Sequence, residues 1–128
     1  MENEPDPRIA GAVAGFRKFM AEVNPKYISG EVPYYDSVLN VCGKPDLVAE
    51  IAGKLSIVDY KPETKNKRTP VQTAAYALML RHNNIQILDR YELRLLDGDY
   101  RLDRHRSTDD EKRWPVLVAA FHAANYYR

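Results

Sequence analysis

The sequence predicts an α/β sandwich built on a mixed sheet. Three observations carry that prediction: apolar residues at helical spacing near both ends and after residue 69, a β-branched and aromatic stretch broken by turn formers from Tyr27 to about Lys61, and an alternating segment with an Asp-Gly-Asp turn behind the middle helix. The order helix, strands, helix, strand hairpin, helix is that of a layered α/β domain. With 128 residues, 45% of them hydrophobic and 29% charged, the composition allows one core, and residues 1–128 read as a single domain. Residues 1–7, acidic and broken by proline, read as flexible.

Residues 8–23 place Ile9, Val13, Phe16, Met20 and Val23 at intervals of three and four, an apolar helix face that Asn24-Pro25-Lys26 ends. Strands are expected near 28–35 and 37–42, followed by 44–51 paired with 54–61, with bends at Gly43 and Gly53. Residues 62–69, polar and lysine-rich, read as a solvated loop. Thr69 and Pro70 then read as the N-cap and first turn of a helix to about His82, which Asn83-Asn84 terminates. Residues 85–96 alternate as a strand, 97–99 turn, and 100–104 return. From Ser107 to Tyr127 a closing helix carries Trp114, Val118, Phe121 and Tyr126, with Pro115 near its first turn.

The formal net charge of +1 neither demands nor forbids nucleic acid, because basic residues can still gather on one face. One cysteine, Cys42, excludes an internal disulfide framework and a cysteine-built metal cluster within the chain; it reads as a small buried apolar residue in a reducing compartment. No apolar h-region follows the N-terminus, and the longest apolar run, Val116 to Phe121, is too short to span a bilayer. A soluble, cytoplasmic protein is expected, in the host cytoplasm if a phage encodes it.

The chemistry concentrates around Val58-Asp59-Tyr60-Lys61. An acid-any-lysine tripeptide is weak evidence, and Glu63-Thr64-Lys65 and Asp110-Glu111-Lys112 match it as well, in settings where a solvated charge suffices. Asp59 differs because it follows Leu55-Ser56-Ile57-Val58, a run that favours burial. If Ala52-Gly53 forms a two-residue hairpin turn, Asp46 stands opposite Asp59, and like charges facing each other across an antiparallel pair destabilise a sheet. Lys61 projects from the same face as Asp59 and offsets part of that repulsion. A divalent cation would offset more, since two carboxylates, a carbonyl and waters suit Mg²⁺. The alternative is a turn role for Asp46 and an ordinary Asp59–Lys61 ion pair.

Gln72 and Tyr76, four apart, project together from the middle helix toward a phosphate, sugar or base, or else pack as a core edge with a wet tip. The loop that feeds this helix carries Lys61, Lys65, Lys67 and Arg68 against Glu63, a balance suited to an anionic polymer. Arg90, Arg94, Arg101, Arg104 and Arg106 are interleaved with acids, and a solvated hairpin is at least as good a reading for them.

The series Gly43-x-Pro45-Asp46, Asp59-Tyr60-Lys61, a basic loop and Gln72-x-x-x-Tyr76 resembles the PD-(D/E)XK nuclease superfamily, and most closely its RecB-like exonuclease branch, found also in phage and CRISPR-associated nucleases. The resemblance covers roughly residues 8–127. It implies a restriction-endonuclease-like three-layer αβββαβ core with a mixed sheet and a C-terminal helix. It further implies that Asp46 and Asp59, helped by the Tyr60 backbone carbonyl, hold Mg²⁺ or Mn²⁺, that Lys61 activates the attacking water, and that Gln72 and Tyr76 contact DNA. Relatives commonly carry an extra first helix that completes the site. Here the sequence leaves room for one helix before the strands, so Glu31, a second subunit or a partner protein would supply what that helix provides. The expected activity is metal-dependent DNA hydrolysis, by an exonuclease rather than a site-specific endonuclease, because no separate sequence-reading domain fits. The alternative is a DNA-binding or assembly protein that kept the fold and lost turnover.

Overall fold

A computed structural model describes residues 6–7, 9–61 and 69–126. The chain forms α1 (Ala10–Val23), β1 (Lys26–Gly30), β2 (Tyr34–Asp36), β3 (Val41–Gly43), β4 (Leu47–Ile51), β5 (Lys54–Lys61), α2 (Thr69–His82), β6 (Asp89–Leu96), β7 (Asp99–Arg104) and α3 (Thr108–Tyr126). Five strands make one sheet in the order β1-β4-β5-β6-β7, and β2 with β3 forms a separate hairpin. Every pairing in the sheet is antiparallel except β5 with β6, which are parallel and joined by the crossover through α2.

Side-chain alternation on the strands sorts the core into two layers. Leu47, Ala49 and Ile51 of β4, Val58 of β5 and Leu93 of β6 pack with Phe19 of α1 on one face. Val48 and Ile57 pack with Ala77, Met79 and Leu80 of α2 on the other. Burial of a side chain the size of Phe19 stabilises the fold by roughly 1.5–3 kcal/mol. Helix α3 lies against α2 and buries Val118. The result is the expected three-layer α/β architecture with a mixed sheet and a C-terminal helix, consistent with a restriction-endonuclease-like fold.

Close approach of α1 to the sheet depends on glycine. A Cβ on Gly15 would lie 2.0 Å from the Asp99 carbonyl oxygen, and the Gly11 carbonyl accepts the Gly98 N–H at 2.9 Å. Asn24 ends α1 in the left-handed conformation at φ 50°, and its N–H bonds to the Met20 carbonyl at 3.1 Å.

Several sequence expectations need correction. The stretch expected as strands near 28–35 and 37–42 is divided: β1 pairs with β4, whereas β2 and β3 pair only with each other. Cys42, expected to be buried, is exposed, because that two-stranded hairpin leaves the face bearing Cys42 and Tyr35 uncovered. The strand expected from residue 85 begins at Asp89. Pro115 lies well inside α3 rather than near its first turn. Phe121 is 62% exposed although it shares helical spacing with Val118. Residues 1–5 of the segment 1–7 expected to be flexible, the basic loop 62–68 with Lys65, Lys67 and Arg68, and Tyr127 lie outside the described residues, as do the side chains of Thr69 and Tyr126.

Candidate active site

The β4–β5 hairpin builds the first part of the site. Ile51 pairs with Lys54 and Leu47 with Val58, so the next step of the ladder sets Asp46 against Asp59, the register expected from a two-residue turn. Ala52 at φ 51° and Gly53 at φ 77° are both left-handed, as a type I′ turn requires. Such a turn matches the twist of the flanking strands, which holds the register despite the unfavourable alanine conformation.

Alternation along β5 then separates its side chains. The Tyr60 ring packs edge-on against Phe16 on the α1 face, with centroids 6.2 Å apart. Asp59 and Lys61 therefore face α2. The Tyr60 N–H donates to Asp46 Oδ2 at 2.8 Å and orients that carboxylate toward β5. Asp59 is 2% exposed, and the Lys61 Nζ stands 3.0 Å from its Oδ2. Lys61 meets Asp59 as an ion pair, and the buried Oδ2 accepts no hydrogen bond among the described residues. Burial, and next the neighbouring Asp46 carboxylate, push the Asp59 carboxyl up to about 6, with Lys61 pulling the other way.

Lys61 links the carboxylates to α2. Its Nζ donates to Gln72 Oε1 at 2.9 Å, and Gln72 Nε2 donates to Tyr76 OH at 3.2 Å. The crossover into α2 brings together residues 11 and 15 positions downstream of Lys61 because β5 ends where the first turns of α2 pass over it. Asp46, Asp59, Lys61, Gln72 and Tyr76 thus form one connected row. Glu31 lies beside this row, exposed at φ 53°, with its N–H held by the Pro45 and Asp46 carbonyls. Among the described residues no group of three acidic, histidine or cysteine side chains is placed to hold a metal ion.

Two neighbours of this row escaped the sequence reading. In the parallel β5–β6 ladder Asp59 pairs with Glu92 and Lys61 with Arg94. Glu92 and Arg94 are buried, with Arg94 Nη2 3.0 Å from Glu92 Oε2, and Arg90 is buried too. Of the two readings open for these arginines, burial removes the solvated hairpin for Arg90 and Arg94. Arg90 instead clasps two helix starts, donating to the Pro70 carbonyl at 2.8 Å and the Ser107 carbonyl at 2.7 Å. The available signal was the repeated acid-any-base order in Asp59-Tyr60-Lys61 and Glu92-Leu93-Arg94, which gains meaning only when the two strands are known to be parallel neighbours.

A family model for the PD-(D/E)XK nuclease superfamily matches residues 4–114, most of the chain. The protein belongs to that superfamily. No curated protein matches it. PD-(D/E)XK nucleases generally use divalent metal ions, and DNA is the substrate that membership implies. The residues present suit such an ion: two adjacent carboxylates, one with a buried oxygen that accepts no hydrogen bond among the described residues, next to the backbone of Tyr60, form a hard-oxygen donor set of the kind Mg²⁺ or Mn²⁺ takes, with waters completing the shell. Among the described residues of this superfamily member, no helix is long and apolar enough to cross a membrane.

Proposed function

We propose that this PD-(D/E)XK protein is a Mg²⁺- or Mn²⁺-dependent deoxyribonuclease of the RecB-like branch that degrades DNA from its ends in the cytoplasm. The connected row from the Asp46–Asp59 pair through Lys61 to Gln72 and Tyr76 carries the reading. The exonuclease assignment rests on the resemblance to RecB-like exonucleases.

In this reading Asp46, Asp59 and the Tyr60 carbonyl hold the ion, which when bound supplies a water of lowered pKa and neutralises phosphate charge. Asp46 is kept in position by the Tyr60 N–H. Lys61, held by Gln72 Oε1, orients the attacking water and stabilises negative charge developing on the phosphate. Gln72 and Tyr76 meet the DNA strand, and Lys65, Lys67 and Arg68 add phosphate contacts. A further ligand comes from Glu31 or from a second subunit or partner protein.

The test is cleavage of end-labelled linear single-stranded and duplex DNA beside a closed circle, with Mg²⁺, Mn²⁺ or EDTA. Metal-dependent loss of linear DNA that Asp59→Ala and Lys61→Ala abolish is expected. Salt-sensitive DNA binding without cleavage in any metal would replace hydrolysis with a binding or assembly role.

A further inference from the structure

A cavity of about 590 Å³ opens beside the catalytic row, walled by β3, α2 and α3, with Gly43, Gln72, Tyr76, Met79 and Trp114 among its lining residues. Its volume lies in the range of small-ligand sites, and its lining is largely apolar and aromatic. The wall formed by the β2–β3 hairpin is anchored. His82 Nδ1 lies 2.7 Å from Asp36 Oδ1, Asn83 Nδ2 donates to the Tyr35 carbonyl at 2.9 Å, and His122 Nε2 lies 3.0 Å from the Leu39 carbonyl. A Cβ on Gly43 would come within 2.9 Å of Tyr76 Cε1, so the absence of a side chain lets the tyrosine ring lie against the hairpin.

Two observations say what the cavity holds. Gln72 and Tyr76 belong both to its lining and to the hydrogen-bonded row that starts at Lys61, so it is continuous with the place where a phosphate would sit. Trp114 and Tyr76 together give the lining an aromatic surface. A flat, π-faced group joined to a phosphate satisfies both features. A nucleobase is such a group, and it is tethered to the phosphate by one sugar.

The geometry points to a base-binding pocket: the nucleotide whose phosphate meets Lys61 places its unstacked base in this cavity, against Tyr76 and Trp114. The inference rests on the nuclease reading and deepens it by naming the substrate class. A base reaches such a pocket only from single-stranded DNA or a frayed end, because a paired base must first leave its stack. Aromatic platforms accept every base, so the pocket selects for strandedness with little sequence preference.

Trp114 is the one tryptophan in the chain, so its fluorescence reports on the cavity. The full-length protein in EDTA is titrated with an end-labelled thymidine oligonucleotide, an abasic strand of equal length and a blunt duplex, following label anisotropy and Trp114 emission together. The thymidine strand is expected to bind about tenfold more tightly than the abasic one and to be alone in shifting Trp114 emission. Trp114→Leu, checked by thermal melting, is expected to remove that tenfold preference. Equal affinity for the thymidine and abasic strands, or emission that follows protein concentration instead of oligonucleotide as a second copy covers the cavity, would overturn the pocket. Metal-dependent cleavage alongside that result would leave the nuclease standing; a base-dependent emission shift with no cleavage in any metal would keep the pocket and remove hydrolysis.

Discussion

Asp59 and Glu92 are register partners in the parallel β5–β6 ladder, and both carboxylates are buried on the face that α2 covers. Each acid has a base two residues further along its own strand: Lys61 lies 3.0 Å from Asp59, and Arg94 3.0 Å from Glu92. The two pairs differ in their other neighbours. Asp59 has Asp46 beside it and Lys61 reaches Gln72, whereas Glu92 has His105 Nε2 at 3.7 Å from its Oε2, and Arg94 Nε makes no hydrogen bond among the described residues.

Glu92 and Arg94 are expected to depend on one another. Removing either alone, as Glu92→Leu or Arg94→Met, strands a buried charge and is expected to cost about 3–5 kcal/mol of stability, whereas the double variant with both changes comes much closer to wild type. Urea denaturation of the two single variants and the double variant measures this. Additive losses would mean that the pair is not an energetic unit.

The Asp59 carboxyl sets a pH dependence of the metal-free protein. Its value is about 6 in the fold against an ordinary 3.8, so the folded state binds the proton more tightly. This contribution to stability is fully present below 3.8 and is lost as the pH rises through about 6. Asp59→Asn removes it and is expected to raise the metal-free melting temperature at about pH 7.5 by several degrees. The same variant is expected to lose the upward melting shift that Mg²⁺ produces in wild type. Thermal melts on both sides of that pH window, with Mg²⁺ or EDTA, check both effects; an unchanged pH slope would count against the carboxyl as its source.

Lys61 and Gln72 are expected to differ in degree. Lys61→Ala is expected to lower cleavage by roughly 10²–10³-fold while leaving the Mg²⁺-dependent melting shift in place. Gln72→Ala removes the acceptor that holds the ammonium and is expected to cost about tenfold, as the loss of one hydrogen bond to a charged group implies. Single-turnover cleavage rates separate the two. Equal losses would make Gln72 more than a positioning residue for Lys61.

Ala52 marks a place where the chain can be improved without touching the site. It occupies the first position of the type I′ turn at φ 51°, where asparagine is tolerated far better than alanine. Ala52→Asn is expected to stabilise the protein by about 1 kcal/mol, read as a higher urea midpoint at unchanged slope. Destabilisation would indicate a different turn geometry and call the Asp46–Asp59 register into question.

How much was legible follows the range of the interactions. Helices α1 and α2 were readable because apolar spacing, Asn24-Pro25, Thr69-Pro70 and Asn83-Asn84 act within a few residues. The Asp46–Asp59 register was readable because a two-residue turn dictates it from inside one hairpin. The face shared by Asp59 and Lys61, and that shared by Gln72 and Tyr76, follow from the strand and helix periods alone. Tertiary structure decided the rest. The sequence does not state that β6 lies parallel to β5, so neither the burial of Glu92, Arg94 and Arg90 nor their place beside the site could be read from alternating charges. The contact between Lys61 and Gln72 requires α2 to cross directly over the end of β5, and the exposure of Cys42 requires β2–β3 to stand apart from the main sheet. Local periodicity specifies which way a side chain points; only the packing of distant segments determines what it meets there.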